Sequence, residues 1–418
     1  MKKSIIIALL FCFIYVHEGI SQSSAKKKGE DITIGKTYTF TSEKLSGSWQ
    51  VQVSLPPSYH ESSDVYPVVY ALHGNFYFNF AVGGLQRLME FGDIPEVIIV
   101  GISNESNGYF AFGSRGADQF LDFMEADIFP FVEGEFRTHK DRTVMGWHYT
   151  SGFIFHTLSR RPHLFRNYIP ASPYLGGYDV SKIDFDVMDQ AGLMRRLYFG
   201  VFGNERSVSL AANSLDSLLQ KKAPASLEWE FHLLEPDYDK GIEVSVYRLW
   251  QAGLKTVYAD YRETQLSFDD LADFKARGGL AALRKHYSER ALKYGGVSKP
   301  GGLVSLIRMA ERADDFSLFE ELMDAYGTSF KGLNLNRLMG FARFYQQHGK
   351  TEKAIAIYEN INTWYPNSVS VYEALAGAFT ASEDLRKARR AYEKAIALAQ
   401  LQSDSRLASL KNKLSELE

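Results

Sequence analysis

The chain has 418 residues, 45% hydrophobic and 23% charged, enough to bury a large core and to form two or three domains. A net charge of −3 argues against a nucleic-acid partner, which would need a basic face. The single cysteine, Cys12, excludes an intrachain disulfide framework.

The chain opens as an export signal. Lys2 and Lys3 precede an apolar run from Ile5 to Val16 that is too short to span a bilayer comfortably. Gly19 and Ser21 are small residues placed for cleavage before Gln22. Phe11 beside Cys12 argues against a lipoprotein site. The expectation is a signal peptide over 1–21, a secreted or periplasmic mature chain, and no integral membrane span after signal removal. A retained anchor is the alternative. Residues 22–31 are polar and Lys-rich and read as a flexible lead-in.

Residues 32–262 read as an α/β domain. Trp49 to Leu55 alternates faces and stops at Pro56-Pro57, as an antiparallel opening strand would. Val65–Leu72, Val97–Ile102, Thr143–Met145, Tyr168–Ala171, Leu197–Phe202 and Glu228–Leu234 are short apolar runs, the pattern of a parallel sheet covered on both faces. Helical spacing over Ala117–Phe136, Val208–Leu219 and Val244–Tyr258 supplies the crossovers. Ligands in such folds sit at the carboxyl ends of the strands. His73, His148 and Glu205 follow strand ends and should share that edge.

No strand signal remains after Phe268. Ala354 and Ala388 lie 34 residues apart, as do Tyr358 and Tyr392, Phe341 and Leu375, and Tyr345 and Phe379. That period predicts tetratricopeptide-like helical repeats over 334–418, in two units of about 335–368 and 369–404. A helical linker region over 263–333 precedes them, with Leu303–Tyr326 as a degenerate pair. A protein partner on this tail follows from the repeat reading. A plain helical bundle is the alternative.

Asp141 to Gly152 reads D-R-T-V-M-G-W-H-Y-T-S-G. The frame is that of a nucleophile elbow, G-x-S-x-G after a strand. Here it is Gly146-Trp147-His148-Tyr149-Thr150, so an imidazole stands where a hydroxyl would.

Further landmarks surround it in order: Tyr66-Pro67-Val68-Val69-Tyr70, Ile94-Pro95-Glu96-Val97, Gly116-Ala117-Asp118-Gln119-Phe120, Phe136-Arg137-Thr138, Arg161-Pro162, Ala171-Ser172-Pro173 and Gly203-Asn204-Glu205. With these, residues 32 to about 260 resemble the esterase branch of the α/β-hydrolases, which includes esterase D (S-formylglutathione hydrolase) and the enterobactin esterases. The resemblance implies an α/β-hydrolase fold and a triad in the order Ser, acid, His. The acid maps to Glu205, the nucleophile to His148, and the glycines after it to Thr150 and Ser151. The loop that should carry the His runs from Glu235 to Ile242 through Asp237 and Asp239, with no His.

A triad without its Ser or His loses on the order of a million-fold in turnover. The expectation is therefore an exported esterase-family homologue with a degenerate triad, a non-hydrolytic pseudoenzyme holding a small-molecule ligand in the former cleft or a protein on its tail. The alternatives are an ester hydrolase with replaced machinery, in which His148 attacks and the backbone of Asn75 and Tyr149 forms the oxyanion hole, and a repeat-based scaffold. His73, Asp237 and Asp239 are cleft candidates. Together with His148 and Glu205 they could meet a metal, but they form no compact ligand motif, so no metal and no cofactor is expected. Ser151 should point along its helix and His232 should sit within a strand.

Overall fold

The computed structural model describes residues 31–417 except 46, 61, 104–109, 176, 190–193, 204, 236–240, 264–268, 297–300 and 327–332. The expected signal segment, Asp237 and Asp239 thus lie outside the described residues. From Lys36 onward the chain forms one unit.

Eight strands make one sheet in the order β1-β2-β4-β3-β5-β6-β7-β8. They are β1 (Lys36–Thr41), β2 (Ser48–Ser54), β3 (Tyr66–Leu72), β4 (Ile98–Ser103), β5 (Thr138–Trp147), β6 (Asn167–Ala171), β7 (Arg195–Phe202) and β8 (Leu227–Leu234). β2 pairs antiparallel with β1 and β4, and all other pairs are parallel. β3 is buried along its whole length, as a continuous apolar run in a doubly covered sheet should be. The sequence did not single out β1, whose Thr-rich edge is mostly exposed. Tyr38 and Phe40 hold it by packing their rings edge-on against Phe131, at 5.0 and 4.8 Å.

Helices cover both faces. α1 (Gly74–Glu90) follows β3. The predicted helix over Ala117–Phe136 is split into α2 (Arg115–Phe123), a π-helical turn (Met124–Ile128) and α3 (Phe129–Glu135). Ser114 caps α2 by accepting from the Ala117 amide at 3.1 Å. Pro130 opens α3 and has no N–H to continue the ladder, which fits a register change just before it. α4 (Tyr149–Arg160) follows β5, and the short α5 (Asp186–Asp189), α6 (Arg206–Lys222) and α7 (Gly241–Val257) complete the layers. Phe120, Phe153 and Leu215 lie in the core on one face, and Val82, Leu85 and Trp250 in the core on the other.

At the amino edge of the sheet sits a buried acid. Asp141, 2% exposed, accepts from Asn167 Nδ2 at 3.0 Å and from Arg166 at 3.3 Å. Burial raises its pKa to about 6 against the pull of Arg166, Arg196 and Lys293. The folded pKa lies above the unfolded value, so this group favours the folded state below the unfolded pKa, and that contribution is lost as pH rises through about 6. Wild type should therefore lose stability relative to Asp141→Asn between pH ~4 and ~6, by at most about 3 kcal/mol. Urea unfolding of both proteins across this range checks it; a pH-independent difference would refute the assignment.

The remaining elements among the described residues are helices: α8 (Ala259–Glu263), α9 (Leu271–Ala276), α10 (Gly279–Tyr294), α11 (Gly301–Arg312), α12 (Phe316–Tyr326), α13 (Leu335–Gln347), α14 (Thr351–Trp364), α15 (Val369–Ala381), α16 (Leu385–Gln402) and α17 (Leu407–Ser415). The first residues of α11, α13 and α15, Gly301, Leu335 and Val369, are each 34 residues apart. The helices pack around a core of their own that includes Phe319, Phe341, Tyr358 and Ala388. α10 joins this region to the sheet. Lys293 and Tyr294 both bind Asp260, which Arg196 also meets at 2.8 Å. The Gly296 amide donates to the Val65 carbonyl at 3.0 Å. No helix among the described residues is long and apolar enough to cross a membrane.

Candidate functional site

Parallel pairing aligns the ends of β3, β5, β6 and β7. Ala71 faces Met145, Trp147 faces Ala171, and Ala171 faces Gly200. His73, His148 and Ser172 therefore leave adjacent strands at the carboxyl edge, with Glu205 just past β7.

His148 occupies the apex between β5 and α4 with φ 54° and ψ −109°, a strained conformation for a residue with a side chain. Its amide donates to Ala171 O at 3.0 Å, and its carbonyl accepts from Ser151 at 3.1 Å and Tyr174 at 3.2 Å. The strand-to-helix turn is thus sharp, with an imidazole at its apex.

Thr150 supports that turn. In the structure its Oγ1 accepts from the Trp147 amide at 2.8 Å and donates to the Trp147 carbonyl at 2.9 Å. The space comes from Gly146, where a Cβ would lie 2.4 Å from Thr150 Oγ1. From below, Trp250 Nε1 donates to Gly146 O at 3.1 Å.

The His148 ring stacks on Tyr174, with centroids 4.9 Å apart and planes at 14°. Tyr149 meets it edge-on at 4.5 Å. Burial lowers its pKa, against the opposing field of Glu205, which favours the neutral imidazole. Glu205 accepts from Ser172 Oγ at 2.6 Å and from the Phe202 amide at 3.2 Å. No hydrogen bond joins His148 and Glu205 among the described residues. Ser172, buried and at φ 44°, takes the carboxylate instead, while Tyr174 takes the imidazole.

His73 precedes α1 at φ 65°, its ring 4.7 Å from Phe76, and burial lowers its pKa. Asn75 and Tyr149 open α1 and α4, so their amides are among the donors a helix first turn leaves free of intrahelical bonds. α1 starts hard against the sheet: a Cβ on Gly74 would lie 2.8 Å from the Gly101 carbonyl carbon. Ser151 Oγ donates to Ala171 O at 2.7 Å and does not face the cleft. His232 lies on β8 against Glu230. No three His, Cys, Asp or Glu side chains among the described residues are placed to hold a metal ion.

Sequence reasoning missed the wall beside the apex. A cavity of about 280 Å³ opens next to His148, lined by Phe112, Tyr149, Tyr174, Leu175 and Tyr178 among others. Gly152 lets its two sides meet, since a Cβ there would lie 2.9 Å from Tyr174 O and 3.3 Å from Phe110 O. His156, fully buried, fixes the first side: its Nδ1 accepts from the Gly113 amide at 3.3 Å and its Nε2 pairs with Asp118 at 3.0 Å. The Ala171-Ser172-Pro173 string located Ser172, but nothing in the sequence assigned Tyr174 or His156 a part.

Comparison with known proteins gives the same fold. Residues 42–208 match the family model "Putative esterase". An IroE-like serine hydrolase from Shewanella oneidensis is 20% identical, with a TM-score of 0.50 over 70% of this chain and 99% of that one. The BES protein from Bacillus cereus is 19% identical, with a TM-score of 0.47 over 56% of this chain and 98% of that one. An uncharacterised protein from Capnocytophaga ochracea is 13% identical, with a TM-score of 0.48 over 92% of this chain and 99% of that one. No protein of curated function matches the sequence.

Proposed function

We propose that this chain, which has an α/β-hydrolase-like sheet, a match to the esterase family model over residues 42–208 and an all-helical region after it, is an exported, non-hydrolytic member of that fold whose cleft binds a small molecule. The observation that carries this reading is the disposition of Glu205. In a working triad the acid orients a His that serves as base. Here the carboxylate is held by Ser172 and the Phe202 amide, and the imidazole at the nucleophile position lies flat on Tyr174. A serine triad needs a base, an activated hydroxyl and an oriented acid in one hydrogen-bonded chain, and the described residues at this edge form no such chain.

The His148 imidazole, at a strained apex beside helix-opening amides, favours a second reading as an ester hydrolase with His148 as nucleophile. Steady-state assay of short p-nitrophenyl esters separates the two. The expected rate equals that of His148→Ala and of buffer. Turnover abolished by both His148→Ala and Glu205→Ala would overturn the non-hydrolytic reading.

The tail belongs to the same proposal. Helix pairs recurring every 34 residues support a tetratricopeptide-like stack, with domains at 32–262, 263–333 and 334–418 and a protein partner on the repeats.

A further inference from the structure

A second cavity opens at the amino edge of the sheet, at the strand ends opposite the His148 cleft. Its volume is about 320 Å³, the small end for a ligand pocket. Lys140 and Arg142 of β5, Arg166 just before β6 and Arg195 at the start of β7 line it. Asp141 is the one carboxylate among its described lining residues. Both Asp141 oxygens are engaged, by Asn167 Nδ2 at 3.0 Å and Arg166 Nη1 at 3.3 Å. Arg142 binds Glu133 through Nη2, and Arg195 Nε donates to the Pro162 carbonyl. Arg166 keeps donors in hand. Asp141 takes its Nη1, and no other acceptor meets its side chain among the described residues. The Arg166 side chain is 29% exposed and that of Asp141 1%, so Nη1 is the inward end of the guanidinium. The Nε–Nη2 edge is left for the cavity, with two parallel N–H groups in the geometry that two oxygens of a carboxylate or phosphate accept. The main chain under this fork is fixed, since the Arg166 amide donates to Arg142 O and its carbonyl accepts from the Arg196 amide, each at 2.9 Å. Lys140 adds an exposed ammonium to the same wall. Burial lowers the pKa of His139, and the charges of Lys140 and Arg166 lower it further, so both cations act on one spot.

We propose that this cavity binds a small oxyanion, the carboxylate or phosphate group of a small molecule, on the Nε–Nη2 fork of Arg166 with Lys140 supplying attraction. The site is separate from the cleft and stands whether or not the cleft hydrolyses esters.

The test is isothermal titration of the full chain, in chloride at constant ionic strength, with inorganic phosphate, phenyl phosphate and benzoate. At least one should bind one-to-one with a Kd of about 1 mM or below. Saturation by the phosphates alone, or by benzoate alone, names the group that the fork takes. Arg166→Lys keeps a charge beside Asp141 and loses the fork, and should weaken binding by about tenfold. Lys140→Gln, at an exposed position, should weaken it by a few-fold. Lys394→Gln on α16 and His148→Ala at the cleft should bind as wild type does. The proposal is overturned if no probe saturates, or if folded Arg166→Lys and Lys140→Gln both bind as wild type does. It is equally overturned if Lys394→Gln weakens binding as much as Lys140→Gln, which would mean diffuse attraction, or if His148→Ala abolishes it, which would put the ligand in the cleft.

Discussion

Gly146→Ala is expected to destabilise the fold by about 3 kcal/mol, the upper end for overpacking a filled site. The new methyl would lie 2.4 Å from Thr150 Oγ1, and that oxygen is tied to both the amide and the carbonyl of Trp147. It cannot swing away without leaving a backbone donor unsatisfied. Thr150→Gly alone should cost about 1–2 kcal/mol through the lost hydrogen bonds and the added backbone freedom. In the double variant the methyl added at Gly146 occupies the space that Thr150 vacates. The two changes should therefore couple favourably by more than about 1 kcal/mol in a urea-unfolding double-mutant cycle. Additive effects would mean that Thr150 is tolerated slack and not half of a rebuilt contact. The distinction bears on function, because a maintained elbow implies a site still under constraint.

The second large effect is Trp250→Ala. Trp250 is fully buried on α7, packs edge-on against Tyr77 at 5.4 Å, and donates to the Gly146 carbonyl beneath the elbow. Truncation removes an indole from the core, at a cost of about 3–5 kcal/mol, and strands that carbonyl. Trp250→Phe retains most of the packing and loses the hydrogen bond, so about 1–2 kcal/mol is expected. The Phe variant should also weaken ligand capture in the cleft, since Gly146 O fixes the strand end that presents His148. Equal losses for the Ala and Phe variants would contradict this division between packing and hydrogen bonding.

Much of the fold is legible in the sequence because continuous apolar runs such as β3 and β7 leave few alternatives to buried parallel strands. β1 escapes because its burial comes from two aromatic contacts to Phe131 that no local pattern encodes. The π turn at Met124–Ile128 escapes because helical periodicity tolerates one extra residue. At the site, the positions of His73, His148 and Glu205 follow from counting strand ends. Their interactions do not. Ser172 takes Glu205 and Tyr174 takes His148 from loops whose paths are set by the third dimension. Thr150 shows the same limit in reverse: a residue that breaks a motif by type can satisfy its geometry through a partner, here Gly146, four positions earlier.

On the proposed non-hydrolytic reading, His148 carries no acyl group. Intact-mass measurement and peptide mapping of the mature chain after incubation with an excess of p-nitrophenyl acetate test it directly. The expected result is no acylation at His148 beyond that of surface residues, unchanged in Glu205→Ala. Acylation of His148 that forms, turns over and disappears in Glu205→Ala would contradict it.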